Sequence, residues 1–290
     1  MKSSYDIFWM NGGIGDCAMV LPGVLSYIDD ESDVRYHLVC RDKVTVNFVN
    51  SFFNYINFEN KNIDVITVNF FLWNLFRYIR ARNLYFLHSS HKKRYIFMVC
   101  LFKGSNVFIK EHYALFKKWA NTFSVYTHYR SLALEMLRVE PFIFCFPTVR
   151  KENYVLIYPN SGNMFIEKRV PARIFKRIIK DVHLNSKIYI SGHVEEKQNL
   201  EIFRNELGLP SVSIVCSDSF LFTFDLIRKA AHIYTSDNAL SHIASLFDEW
   251  VTTIYGPTDP RLTGIFSANG EIVDLRNDLF DVELNSWKKI

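Results

Sequence analysis

Short apolar runs alternate along the whole chain with longer stretches of helical spacing, and the alternation happens twice. In the first half, apolar runs predict strands over 5–10, 36–40, 65–68, 85–88 and 106–109. Helical patterns fall between them, at about 17–27, 71–81 and 131–138. Residues 139–147, bounded by Pro141 and Pro147, read as a connector. The second half restarts with a strand at 154–158, a helix over 171–182, a strand at 188–191 and a helix over 195–207. It continues with a strand at 213–215, a helix over 219–231 and a strand at 232–235. Each half therefore opens on a strand followed by a turn of small residues, as βαβ units do. This predicts an α/β protein of two Rossmann-like domains, 1–148 and 149–290, whose parallel sheets face a central cleft, with a tail that packs back on the first domain. Ligands are expected at the carboxyl ends of the strands.

The composition, 49% hydrophobic, 16% aromatic and 22% charged, is that of a globular chain with ample core material. The longest charge-free apolar runs, such as 95–102, fall well short of the roughly 20 residues a membrane span needs. The apolar run at 7–10 is cut off too soon by Gly12-Gly13 to read as a signal peptide. Five widely spaced cysteines without metal-ligand spacing fit a reducing cytoplasm. The formal charge of +4 is unevenly spread: between Arg77 and Lys118 ten Lys/Arg face one acid, Glu111, a local balance of +9. A solvated basic face would look like this, and so would a surface that attracts an anionic substrate or an acidic membrane. Interleaved aromatics would also suit single-stranded nucleic acid. No nucleic-acid motif accompanies them, and no nucleic-acid partner is expected.

Three turns carry candidate chemistry. Asn11-Gly12-Gly13-Ile14-Gly15-Asp16 lies where the first strand gives way to a helix. Gly13, Gly15 and Ala18 satisfy G-x-G-x-x-A, and Asp42 follows the second strand as a ribose-binding acid would, so a nicotinamide-dependent oxidoreductase is a genuine reading. Against it, Asp16 would put a carboxylate where the pyrophosphate must lie. The other reading makes the glycines room for a sugar and Asp16 a general base, and a third leaves Asp16 as a helix cap alone. Pro159-Asn160-Ser161-Gly162-Asn163 suits an anion nest, followed by Lys168 and by Pro171 at a helix start. Lys168 would neutralise charge growing on a leaving group, although an ordinary loop with surface cations has the same composition. Asp237 reads as the N-cap of a helix whose first N–H groups would receive phosphate. Glu195 and Glu196 at a helix start favour the dipole, with a ribose contact as the alternative. His242 reads as a partly buried helix residue within reach of sugar or phosphate.

Together, Gly15-Asp16 followed by Leu21-Pro22, Lys168-Arg169-Val170-Pro171, Asp237-Asn238-Ala239-Leu240-Ser241-His242 and Gly256-Pro257-Thr258-Asp259-Pro260 resemble the motifs of glycosyltransferase family 9, the bacterial lipopolysaccharide heptosyltransferases. The resemblance implies a GT-B fold and an inverting, metal-independent transfer of heptose from ADP-heptose to a lipopolysaccharide or related surface-glycan acceptor. It implies Asp16 as base and Lys168 with Asn160, Ser161 and Gly162 on the diphosphate. It further implies Asp237, Asn238, Ala239 and His242 on the donor and Glu195 on its ribose. The acceptor falls to the first domain, with Gly13 and Gly15, and with Lys92, Lys93 and Arg94 for its anionic groups. No cofactor beyond the nucleotide-sugar is expected. The site of action implied is cytoplasmic, with peripheral contact at the inner membrane. Asn238-Ala239 in place of a hydroxyl residue and glycine, and Val170 in place of Trp, depart from the family pattern. A catalytically silent nucleotide-sugar-binding homologue stands as a further alternative.

Overall fold

The protein, seen in a computed structural model, is described over residues 4–10, 12–28, 33–74, 81–87, 106–109, 129–142, 144, 146, 148–159, 168–179, 186–209 and 211–276. It divides into two compact units, Met1–Cys145 and Phe146–Ile290. Each contains a wholly parallel sheet, so both are α/β units of the kind the alternating pattern predicts.

In the first unit, β1 (Ser4–Met10), β2 (Val34–Cys40), β3 (Ile63–Thr67), β4 (Asn83–Phe86) and β5 (Asn106–Ile109) form a sheet of order β3-β2-β1-β4-β5. The chain winds outward through β2 and β3, then returns to the other side of β1. The switch point thus lies between β1 and β4. Helix α1 (Ile14–Tyr27) follows β1 and packs on α4 (Tyr129–Leu137) so closely that a Cβ on Gly23 would come within 3.1 Å of Leu134. Pro22 sits inside α1, and its carbonyl accepts from Phe142 N at 3.0 Å, tying the connector to the helix.

Helix α2 (Lys43–Tyr55) buries Thr45, Phe48, Val49, Phe52 and Phe53, a helical repeat capped by Asp42. Helix α3 (Val68–Trp73) differs from the expected 71–81: Thr67 Oγ1 accepts from Phe70 N at 3.2 Å and starts the helix earlier. Val68, expected to end a strand, is its first residue.

In the second unit the sheet order is β11-β10-β9-β6-β7-β8, from β6 (Tyr154–Tyr158), β7 (Lys187–Gly192), β8 (Val212–Cys216), β9 (His232–Ser236), β10 (Val251–Tyr255) and β11 (Gly270–Asp274). The switch point here lies between β6 and β9. Between the strands run α5 (Ala172–Ile178), a 3-10 turn (Val194–Glu196), α6 (Lys197–Leu207), α7 (Phe220–Lys229), α8 (Ala239–Leu246) and α9 (Pro260–Thr263). The strands are nearly continuous apolar runs because both faces are covered. Val155, Ile157, Ile188, Ile190, Tyr234 and Ile254 join Phe175, Leu200 and Phe203 in one core. Helix α2, the last strand β11 and the short helix α9 are not among the elements that the sequence pattern predicts.

Candidate active site

Open α/β sheets bind ligands at the carboxyl ends of strands where the winding reverses. Asp16 in the first unit and the Lys168–Asp237 pair in the second stand at that place.

In the first unit, β1 runs into Gly12 and then α1. Gly13 is the N-cap of α1, and Asp16 is the third helical residue, reaching back so that its Oδ2 accepts from Gly13 N at 2.9 Å. Asp16 is therefore not itself the N-cap. Gly12 is fixed by this arrangement, since a Cβ there would lie 2.4 Å from the Asp16 Cβ. Gly13 has ordinary room, with Asp16 Oδ2 at 3.8 Å and Arg41 Nη1 at 4.0 Å from its Cβ position. Gly15 is half-buried in the first turn. A dinucleotide would need the Gly13 N–H for its pyrophosphate, and a carboxylate holds it instead. Asp42, the supposed ribose acid, is occupied as the α2 cap: it accepts from Thr45 N at 2.9 Å and from Arg41 Nε at 2.7 Å. Arg41 escaped the sequence reading. It is the first residue beyond β2, which adjoins β1, and this pairing brings its Nη1 within 4.0 Å of the Gly13 Cβ position.

In the second unit, Lys168 Nζ donates to Asp237 Oδ2 at 2.7 Å, with the lysine side chain 25% and the aspartate 4% exposed. Asp237 directly follows β9, and its N–H donates to Ile254 O at 3.1 Å. The expected cap assignment needs correction by one residue. Asn238 is the N-cap of α8, and its Oδ1 accepts from Leu240 N at 2.8 Å and Ser241 N at 3.3 Å. Those two N–H groups were expected to await phosphate; the protein satisfies them itself. Asn238 Nδ2 also donates to Tyr158 O at 3.2 Å, and Ser236 Oγ to Pro159 O at 3.0 Å. The ends of β6 and β9 are thereby locked together at the switch point. Ala239 is half-buried as the first residue of α8, and His242 is buried in its next turn.

The two glutamates after β7 separate. Glu196 is buried, its Oε2 accepting from His193 N at 3.2 Å, and Glu195 points outward with its side chain 80% exposed. A Cβ on Gly192 would meet Glu196 Oε2 at 2.9 Å, so the glycine admits the capping carboxylate. Pro171 is the N-cap of α5 rather than its first residue. The predicted Asn160, Ser161, Gly162, Lys92, Lys93 and Arg94 lie outside the described residues.

Beyond β10, Asp259 caps α9 and receives Arg261 Nη2 at 2.8 Å and Arg276 Nη1 at 2.8 Å, while Arg276 Nη2 also meets Asp274 at 2.7 Å. The Arg261 bonds foremost, then those of Arg276, hold the Asp259 carboxyl well below the usual carboxylate range; Arg276 lowers Asp274 likewise. Carboxyls with depressed folded-state pKa values stabilise the fold above their unfolded value and lose that contribution as the pH falls below it. The wild-type thermal midpoint is therefore expected to drop more steeply than that of Asp259→Asn from about pH 4 downward. Parallel acid melts of the two proteins measure the difference.

Among the described residues no cluster of three or more His, Cys, Asp or Glu is placed to hold a metal ion. Among them, too, no helix is long and apolar enough to cross a membrane.

Two parallel α/β units, each with polar chemistry at its switch point, have the GT-B fold. The chain belongs to glycosyltransferase family 9 (heptosyltransferase), whose profile matches residues 116–282. Among solved structures, E. coli heptosyltransferase WaaC with ADP is similar at 13% identity and a TM-score of 0.62, covering 98% of each chain. E. coli ADP-heptose lps heptosyltransferase II is similar at 13% identity and a TM-score of 0.61, again over 98% of each chain. A family 9 glycosyl transferase from Veillonella parvula is similar at 14% identity and a TM-score of 0.61, covering 99% of this chain and 90% of that one. No curated protein sequence matches the chain. The solved structures establish the fold, the family model the family, and together they support a glycosyltransferase in place of the oxidoreductase reading.

Proposed function

We propose that the protein transfers heptose from ADP-heptose to a lipopolysaccharide core or related surface-glycan acceptor, with inversion at the anomeric carbon and without a metal. The observation that carries this is the Lys168–Asp237 pair at the switch point of the second sheet, 2.7 Å between Nζ and Oδ2. It is a cation held ready by a nearly buried carboxylate, next to the ends of β6 and β9. Family membership supports the sugar transfer, and related structures contain ADP and ADP-2-deoxy-2-fluoro heptose.

Attack at an anomeric carbon passes through a cation-like state while negative charge gathers on the departing diphosphate. Lys168 would offset that charge, because the Leu240 and Ser241 N–H groups are already engaged by Asn238. Asn160, Ser161 and Gly162 would add donors, and Ala239 and His242 would border the donor. Glu195, outward-facing beyond β7, would accept from the ribose hydroxyls. In the first unit Asp16 would take the proton of the acceptor hydroxyl. Gly13 and Gly15 leave room for the acceptor, and Lys92, Lys93 and Arg94 would meet its anionic groups. A lipid-linked acceptor places the reaction at the cytoplasmic face of the inner membrane.

Release of ADP from ADP-heptose, followed with a heptose-deficient core lipid, tests the reading. Turnover should need the acceptor, persist in EDTA, and exceed turnover of UDP-sugars by about tenfold or more. Preference for a UDP-sugar, or loss of activity in EDTA, would refute the donor or the metal-free assignment respectively.

A further inference from the structure

The second unit carries a cleft of about 420 Å³ on the rim away from Lys168 and Asp237. Asp237 follows β9 at its carboxyl end, whereas Trp250 precedes β10 and Asn269 precedes β11. These two residues line the cleft with Ala268, Glu271 and His232, the first residue of β9. A five-residue strand is about 16 Å long, so the cleft is separate from the site at the switch point.

A polar row crosses three strands here. Thr252 on β10 is in register with Glu271 on β11, and its Oγ1 donates to Glu271 Oε2 at 3.0 Å. From the other side, His232 Nε2 lies 2.9 Å from the same Oγ1. A threonine has one proton to give, and the carboxylate takes it, so His232 must donate from Nε2. The imidazole packs on Tyr234 with ring centroids 4.6 Å apart. The row thus runs from a buried histidine and a buried threonine to an exposed carboxylate on the edge strand. Asn269 Nδ2 donates to Asp248 O at 3.0 Å, which leaves its Oδ1 as a second acceptor. Trp250, 58% exposed, stands in the same wall. An exposed tryptophan alone needs no explanation, but one in a cleft beside converging polar groups has the composition of a small-molecule site.

We infer that this cleft binds a saccharide ring, at a site apart from those for donor and acceptor. A pyranose has an apolar face of C–H groups and a rim of hydroxyls. The face suits the indole of Trp250, an apolar body with an N–H at its edge. The hydroxyls are donors, and Glu271 and Asn269 Oδ1 are acceptors. An amine could also approach an indole beside a carboxylate. Here, however, the O–H of Thr252, backed by the N–H of His232, already offsets part of the Glu271 charge, and the second acceptor is a neutral amide. A neutral polyol fits that balance better. For an enzyme acting on a glycan, a second hold on one of its sugars raises the local concentration of the chain.

The indole ¹H–¹⁵N resonances of the full chain read the site directly, with Trp250 assigned by its loss in Trp250→Phe. Methyl glycosides of glucose, galactose, mannose and N-acetylglucosamine are the probes, without donor or acceptor. At least one should shift the Trp250 resonance and saturate in the millimolar range, the level expected of so small a ligand. Saturation-transfer signals from that glycoside should fall about tenfold in Trp250→Ala and about tenfold in Glu271→Gln. Both variants should melt near wild type, since Trp250 is largely in water and glutamine still accepts from Thr252. Saturating ADP should leave glycoside binding unchanged, whereas competition would put the glycoside in the donor site and overturn the inference. Absence of a Trp250 shift with every glycoside would also overturn it. So would full binding by both variants, or a shift with tetramethylammonium and none with the glycosides.

Discussion

Asp16→Asn is expected to lower kcat about 10²–10⁴-fold with little change in the donor KM or the thermal midpoint. The amide keeps an oxygen for Gly13 N, which Asp16 Oδ2 meets at 2.9 Å, so the first turn of α1 stays closed. What it removes is the capacity to take a proton. Asp16→Ala should lose rate to the same extent and also cost about 0.5–2 kcal/mol of stability, the ordinary loss when a helix-start acceptor disappears. The pair of variants thus separates chemistry from capping. If Asp16 merely holds the helix, Asn should be near wild type in rate and only Ala should suffer. Gly12→Ala offers a test that spares the carboxylate. Its new methyl would stand 2.4 Å from the Asp16 Cβ, so either the turn or Asp16 must move. Misplacing a base by about 1 Å is enough for a loss on the order of 10²-fold. Steady-state kinetics beside thermal melts of the three variants decide the matter.

Much of this arrangement is legible in the sequence because parallel strands are short apolar runs and their ends attract small residues. Strands β1, β6 and β9 were located closely, and with them the turns at Asp16, Pro159 and Asp237. What pattern could not supply was strand order. That β6 adjoins β9, and β1 adjoins β4, makes these turns switch points, and no local feature of the chain encodes it. The cap at Asn238 was misplaced because Asp237 and Asn238 are both good caps. The choice fell to tertiary structure, where Lys168 needed a carboxylate and Tyr158 O needed the amide N–H₂ that only asparagine brings. Helix α2 is not among the elements read from the sequence: Val, Phe and Thr make it strand-like in composition, although Thr45, Phe48, Val49, Phe52 and Phe53 recur at helical spacing. Arg41 and the Asp259–Arg276 pair depend on neighbours distant in sequence or on strand register, which composition does not record.

Removing the lysine of the Lys168–Asp237 pair should be costly in two separable ways. Asp237 is 4% exposed, so Lys168→Met would leave a carboxylate buried beside a methyl group, at a cost of about 3 kcal/mol. Asp237→Asn should be milder, about 1 kcal/mol, because Lys168 is 25% exposed and can turn to water. The double variant should recover most of the stability lost in Lys168→Met, since neither charge is then stranded. Binding should not recover. A charged hydrogen bond to phosphate contributes about 1.5–3 kcal/mol, so both variants lacking the lysine should bind ADP about 10- to 100-fold more weakly. Urea melts and calorimetric titration with ADP on the same four proteins give both quantities. A stability cycle of this shape with unchanged ADP affinity would make the pair structural only, and the diphosphate would have to be held by other residues of the second unit.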